Sequence, residues 1–487
     1  MRVLPVGLLL LLASPSWVHA GLEPPVLRLS MESEPTTLDW QKARGALDRF
    51  IVTFLMRGLL RYDAQATPVC DLCTEFTTSP DGLKLRFKLK DVEWSDGIKL
   101  DAQHFVDAFK RIDLSEDLRA IQSTRADGPG VFEITLSRPL ATLPHFLTTT
   151  ESFPIRKDYL KKSADSGEEH AQSAVLGPYQ LAAWERGRRI VIEGNPKFVG
   201  ERPVYRVEFI EGTHAQQVGR FKAGKIEILS NPTTEDLTQA PGTRLQVNPF
   251  WATRSLRLNT RGKAKDIDLR RALLYSLDRQ QLPSVLKNGE RAATGLIPPG
   301  LTGHRNLALV TGDLARAQQE RQRIAPADKD IELELLCRDT ETDRKVAQWL
   351  AEQFGKIKVK LKVRAQAPRA YVRDLEAGKY DLALQTWAFE VANPVDLLRS
   401  FKTGSKLNTG GWTSVVFDEY LGRLTSEQKA AEFAGWVDKA TQVLESQDVA
   451  VIPLGYPTQP FLLGSRVVNF ATTPFGDPDL VKIELKR

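Results

Sequence analysis

The chain has 487 residues, 42% of them hydrophobic, and 67 Lys and Arg against 61 Asp and Glu give a formal net charge of +6. That length is about three domains' worth of chain, enough for several cores. The basic excess is thinly spread, as in Lys356-Ile357-Lys358-Val359-Lys360, where charge alternates with apolar residues like one solvated strand face. Nucleic-acid binding needs a clustered basic footprint, so no nucleic-acid partner is expected.

The chain opens with Arg2, a short apolar core from Val6 to Leu12, and Val18-His19-Ala20 before Gly21. This pattern predicts a secretory signal peptide over 1–20. The apolar run falls far below the roughly 20 residues that span a bilayer. No Cys stands at the cleavage point, so a lipoprotein is not expected, and the mature chain is expected to be free in a periplasm.

Three cysteines follow. Cys70 and Cys73 have C-x-x-C spacing but lack the second pair of a zinc site and the strand-helix context of a redox motif. A local structural disulfide is expected in an exported chain, and Cys337 is left over. Ser79-Pro80-Asp81-Gly82 signals a turn. Leu85, Phe87 and Leu89 alternate with Lys and Arg and predict a half-exposed strand. Trp94-Ser95-Asp96-Gly97 is a second turn, after which Asp101 opens a helix with the apolar face Phe105, Ala108, Phe109 and Ile112.

From Thr213 a helix carrying Val218 and Phe221 should end near Gly224, and Ile226 and Ile228 should begin a strand. Beyond about residue 253 the pattern becomes α/β. Ile331, Leu333 and Leu335 predict a strand. Val346, Trp349, Leu350 and Phe354 recur at helical spacing up to Gly355. Ile357, Val359, Leu361 and Val363 predict a second strand, Tyr371 and Leu375 a helix stopped by Gly378, and Tyr380, Leu382 and Leu384 a third strand. This order implies parallel strands with right-handed crossovers. Ligands of open α/β sheets sit beyond the carboxyl ends of the strands, which nominates Cys337-Arg338 and Trp387-Ala388-Phe389-Glu390.

Phe87 to Arg111, with the order strand, W-S-D-G, spacer and A-x-x-F-V-x-A-F-K-R, resembles the extracytoplasmic solute-binding proteins of peptide-type ABC importers, bacterial solute-binding family 5. Gly177-Pro178-Tyr179-Gln180-Leu181 with Trp184 and Ile190-Val191-Ile192, Phe221-Lys222-Ala223-Gly224, Leu269-Arg270-Arg271-Ala272-Leu273 with Asp278-Arg279, and Ile297-Pro298-Pro299-Gly300 are similar to further segments of that family. The resemblance covers nearly the whole mature chain. It implies an α/β periplasmic-binding-protein fold: two lobes, a ligand cleft between them, and an extra subdomain on the N-terminal lobe. Placed here, lobe I would be 21–46, 165–252 and 452–487, the extra subdomain 47–164, and lobe II 253–451.

The resemblance also implies a function without catalysis or cofactor: capture of peptides by hinge closure and delivery to an ABC permease in the inner membrane, by a monomer. It equally allows a nickel chelate, haem, glutathione or sugar as ligand, or a sensor or chaperone role, since fold does not settle ligand. The family's W-x-x-D acid grips the ligand's α-ammonium; Trp387-Ala388-Phe389-Glu390 places Glu390 there. Trp387 and Phe389 could wall the cleft. Glu34 and Thr36 lie in the segment that resembles the family's peptide-pairing strand, although Pro35 removes one N–H donor. Arg254, Arg257 and Arg338 could supply a cation where Leu384 replaces an arginine that some relatives use for peptide carboxylates. Asp343 falls near the position of a histidine used likewise. Positions of one disulfide of those relatives are matched by Ala252 and Ala388.

A serine acyl-transfer enzyme is the rival class. Ser426-Glu427-Gln428-Lys429 fits S-x-x-K and Lys402-Thr403-Gly404 fits K-T-G, but in reversed order. Ser426 is expected instead to begin the helix containing Phe433 and Trp436. The sequence has no G-x-S-x-G, H-E-x-x-H or P-loop, and its six histidines are not clustered.

Overall fold

The computed structural model describes residues 24–486 except 64, 113–117, 160–173, 234, 237–242, 306–311, 327–328, 427–428 and 474. The expected signal peptide and the expected boundary at 164/165 lie outside the described residues.

Two sheets organise the two lobes. In the first, Val26–Met31 lies between Arg206–Glu211 and Ile228–Ser230, parallel to both. Its inward side chains Leu27, Leu29 and Met31 are buried, as a half-covered strand requires. Arg189–Gly194 and Tyr179–Glu185 extend this sheet on one side, and Thr458–Leu463 and Arg244–Pro249 extend it on the other. The helix Ala46–Leu55 covers it, with Phe50 edge-on to Phe209 at 5.8 Å and Phe54 edge-on to Tyr179 at 6.0 Å.

The second sheet runs Arg291–Ala292, Val451–Tyr456, Ala252–Leu258, Leu382–Ala388, Ile331–Arg338, Val359–Gln366. Ile331–Arg338 is parallel to both of its neighbours, as the strand-helix-strand pattern predicts. The helix Glu341–Gly355, capped by Thr340 through the Asp343 N–H, buries Val346, Trp349, Leu350 and Phe354 on this sheet. Ile357 is buried but precedes its strand, because Lys358 turns the backbone at φ +57.

A third, antiparallel sheet of Cys73–Thr78, Lys84–Leu89, Val131–Leu136 and Ile121–Ala126 forms the extra subdomain. The helix Ala102–Phe109 lies on it, with Phe105 and Phe109 against Phe132 at 5.4 and 5.6 Å. Asp101 starts that helix by accepting from the Gln103 N–H, while His104 Nδ1 accepts from the Asp101 N–H. The Trp94–Gly97 turn is structural: Trp94 is fully buried, and Asp96 pairs with Arg156 at 2.7 Å. Cys70 and Cys73 form a disulfide, and Cys337 is a buried free thiol.

The chain passes between the lobes twice, and the two passages run side by side. Arg244–Pro249 continues through Phe250-Trp251 into Ala252–Leu258, and Val451–Tyr456 continues through Pro457 into Thr458–Leu463. Both halves of this ribbon are antiparallel pairs. The expected return at 452 therefore falls inside a strand of the second sheet, and the passage is at Pro457. The continuous apolar run Val451–Leu454 hides that break from a reading of periodicity. Ser426 also differs from expectation. It ends the helix Val415–Ser426, where its hydroxyl donates to the Gly422 and Arg423 carbonyls, and Phe433 and Trp436 belong to the separate helix Ala430–Gln442. Serine back-bonding to the preceding turn is a helix-end habit, and it occupies the hydroxyl.

Candidate functional site

The carboxyl end of Leu382–Ala388 leads into Phe389-Glu390, which meets the helix Ala46–Leu55 across the cleft. The register of the second sheet pairs Ala252 with Ala388 directly, so the two positions matched to a disulfide in relatives are true cross-strand partners. Two residues beyond this pair, the Glu390 carboxylate meets the Arg49 guanidinium at 2.7 Å. Arg49 comes from the helix Ala46–Leu55, so the ion pair joins the two sides of the cleft. The Glu390 side chain keeps 58% of its surface accessible. Crowding by protein nevertheless pushes its carboxyl above the usual range, with Arg49 pulling the other way.

A cavity of about 260 Å³ opens around this pair. Its wall includes Arg49, His145 and Glu151 from one side and Glu390, Asp396 and Arg399 from the other. Arg44 pairs with Glu151 at 2.5 Å, and Arg399 with Asp396 at 2.9 Å. Beside it, Tyr62 accepts a hydrogen bond from the Ala392 N–H at 2.9 Å, and its hydroxyl lies 3.0 Å from His145 Nδ1. Burial pushes the Tyr62 phenol up to about 12 and the His145 imidazole down to about 4. Both are neutral near pH 7, so this second bridge across the cleft carries no charge.

The other nominated residues sit elsewhere. Trp387 is half-buried against the core of the second lobe, and Phe389 is buried within it. Phe389 and Glu390 lie just past the end of the strand Leu382–Ala388, where Phe389 is buried and Glu390 is exposed. Arg254 is buried between Glu290 at 2.9 Å and Asp343 at 3.0 Å. Arg338 pairs with the same Asp343 at 3.1 Å, and Arg257 donates to the Ser400 and Leu407 carbonyls. Glu34 accepts from Trp184 Nε1 and the Gly187 N–H. Thr36 gives its N–H and its hydroxyl to Asp48, at 2.9 and 2.5 Å. Of the eight residues nominated from sequence, Glu390 alone lines the cavity. Arg49, His145, Asp396 and Arg399 were not nominated. Nothing in the local pattern of Ala46–Leu55 marks its fourth residue as a cleft cation.

Two α/β lobes joined by a two-stranded ribbon, with a charged cleft between them and a third sheet at its side, define a two-lobed solute-binding protein. The chain belongs to the bacterial extracellular solute-binding proteins, family 5: the model for the middle region of that family matches residues 67–409. The periplasmic oligopeptide-binding protein OppA of Salmonella typhimurium is 24% identical over 469 residues, covering 87% of this chain and 86% of that protein. The fold is similar to that of NikA from Brucella suis in complex with Fe(III)-EDTA, with TM-score 0.85 and 18% identity over 95% of this chain and 100% of that one. It is also similar to that of DppA from Helicobacter pylori in complex with the peptide STSA, with TM-score 0.79 and 18% identity over 95% and 98%. Among the described residues, no group of three or more His, Cys, Asp and Glu could hold a metal ion, and no helix is long and apolar enough to cross a membrane.

Proposed function

We propose that this protein is the periplasmic, signal-peptide-exported binding component of an ABC importer, that it captures peptides between its lobes, and that it hands them to an inner-membrane permease as a monomer. The observation that carries the reading is the Arg49–Glu390 ion pair across the cleft. Each member is a ligand group held by the protein itself. A zwitterion entering the cleft can offer its ammonium to Glu390 and a carboxylate to Arg49, replacing one internal pair by two charge-assisted bonds. The Salmonella relative's name supports peptide as the ligand class. Native mass spectrometry of protein purified without refolding tests the reading, because a retained peptide would appear as a discrete added mass. A retained non-peptide would overturn it.

One observation favours a non-peptide ligand. Thr36 already spends its N–H on Asp48, and Pro35 has none to give, so the segment Glu34–Thr36 offers little to a strand-like peptide backbone. An anionic chelate held by Arg49 and Arg399 is the reading that would gain, in line with the Fe(III)-EDTA complex of the Brucella neighbour.

A further inference from the structure

A second cavity of about 470 Å³ adjoins the first, and His145 and Asn393 line both. It lies between the extra subdomain and the second lobe. Leu85, Leu140 and Pro144 stand on one side, and Leu301, Ala392 and Phe433 on the other. Its described wall contains no Asp, Glu, Lys or Arg. Its one titratable group, His145, is held neutral at pH 7 by burial. The first cavity, by contrast, is walled by Arg49, Glu151, Glu390, Asp396 and Arg399. Charge thus stops at the line His145–Asn393. A charged group moved past that line would shed hydration and meet only neutral polar groups such as Gln65, Thr78 and Asn393, with no opposite charge, while an apolar one would gain by leaving water.

We propose that the two cavities form one bipartite site. It takes a ligand with a charged, ammonium-bearing end beside Glu390 and an uncharged apolar body in the chamber bounded by Leu85, Leu140, Leu301 and Phe433. The proposal rests on Glu390 receiving a cation, as in the function proposed above, but it does not require that the ligand be a peptide. Within the peptide class it selects large apolar residues downstream of the amino terminus and rejects lysine and aspartate there.

Two ligand sets test it by isothermal titration on the mature chain. The first is the n-alkylammonium series from butyl to octyl. The expected result is a rise in affinity approaching fourfold per methylene, lost when Ala141→Trp fills the chamber. Ala141 is half-buried on the chamber wall, and its N–H donates to the Thr425 carbonyl, a bond that the substitution leaves in place. Thr302→Asp, at an exposed position of the same wall, keeps the test open should the tryptophan variant fail to fold. It should weaken octylammonium and strengthen 1,8-diaminooctane. The second set is the peptide pair Ala-Ala-Leu-Ala and Ala-Ala-Lys-Ala, the first expected to bind at least tenfold tighter. A rising alkyl series with no binding of either peptide would leave the bipartite site standing and remove peptide as the ligand. Tight, equal binding of both peptides with a flat alkyl series would do the reverse.

Discussion

Arg49 and Glu390, 341 positions apart in sequence, hold one another at 2.7 Å across the cleft. The protein thereby occupies its own acidic site with its own cation. Glu390→Gln removes the acceptor for a ligand ammonium, and a hydrogen bond to a charged group is worth roughly 1.5–3 kcal/mol. A peptide with a free amino terminus should weaken by about that amount, and its acetylated form should barely change. Calorimetry on the two peptides checks this, and equal small effects on both would return Glu390 to a solvated loop.

Arg49→Ala should split ligands by their other end. Partly exposed ion pairs contribute roughly 0.2–1 kcal/mol, so freeing Glu390 should tighten peptide amides by no more than about fivefold. Peptides with a free carboxylate lose their cation and should weaken. A change of the same sign for both would show that Arg49 does not compete for Glu390.

Tyr62→Phe removes the hydroxyl that accepts from the Ala392 N–H and contacts His145. A neutral hydrogen bond contributes roughly 0.5–1.5 kcal/mol, and this one spans the cleft. Ligand affinity should fall between about twofold and tenfold while thermal unfolding is little changed. Small-angle scattering of the ligand-free variant should show a larger radius of gyration than the parent. An unchanged radius would mean that the bond does not help to hold the lobes together.

Arg254 holds the lobe together rather than the ligand. Truncating it to Met leaves Glu290 and Asp343 buried with their main cation gone. Removing one partner of a buried ion pair costs about 3–5 kcal/mol; residual pairing of Asp343 with Arg338 places the expected loss toward the lower figure. A urea titration followed by tryptophan fluorescence should show an earlier transition, with ligand affinity intact in the surviving folded protein.

Asp477 should set a pH slope. Burial pushes its carboxyl up to about 7, against the pull of Arg49. The unfolded chain releases this proton near the ordinary carboxyl value of 3.8 and the folded one near 7. Its effect is therefore most favourable to folding at acid pH, and that contribution is lost as pH rises through about 7. Asp477→Asn should be more stable than the parent at pH 8 and should close that gap toward pH 4. Parallel melting-temperature profiles for parent and variant across pH 4–8 would refute the assignment.

Much of the second lobe was legible in its periods. Alternation through Ile331–Arg338 and Leu382–Ala388, with a 3.6 period between Val346 and Phe354, specifies parallel strand pairing and the strand ends that point to the cleft. Glu390 was reachable because it lies at such an end and within a recognisable motif. Arg49, Asp396 and Tyr62 were not, because their role exists only through contact between distant parts of the chain, and no period or motif encodes that. Arg254 misled for a related reason. An arginine on a strand beside the cleft reads as a ligand cation until its fully buried partners Glu290 and Asp343 are seen.

The second lobe is a single uninterrupted stretch of chain whose two ends leave it on adjacent strands, Ala252–Leu258 and Val451–Tyr456, bonded to each other at Arg254 and Gly455. It is thus inserted into the first lobe like a cassette. Everything on its side of the cleft, Glu390 and Asp396 included, can be exchanged as one piece at Trp251 and Pro457 without rethreading the seven-stranded sheet. A chain built this way lets one wall of the cleft be exchanged while the wall that carries Arg49 and Tyr62 stays where it was.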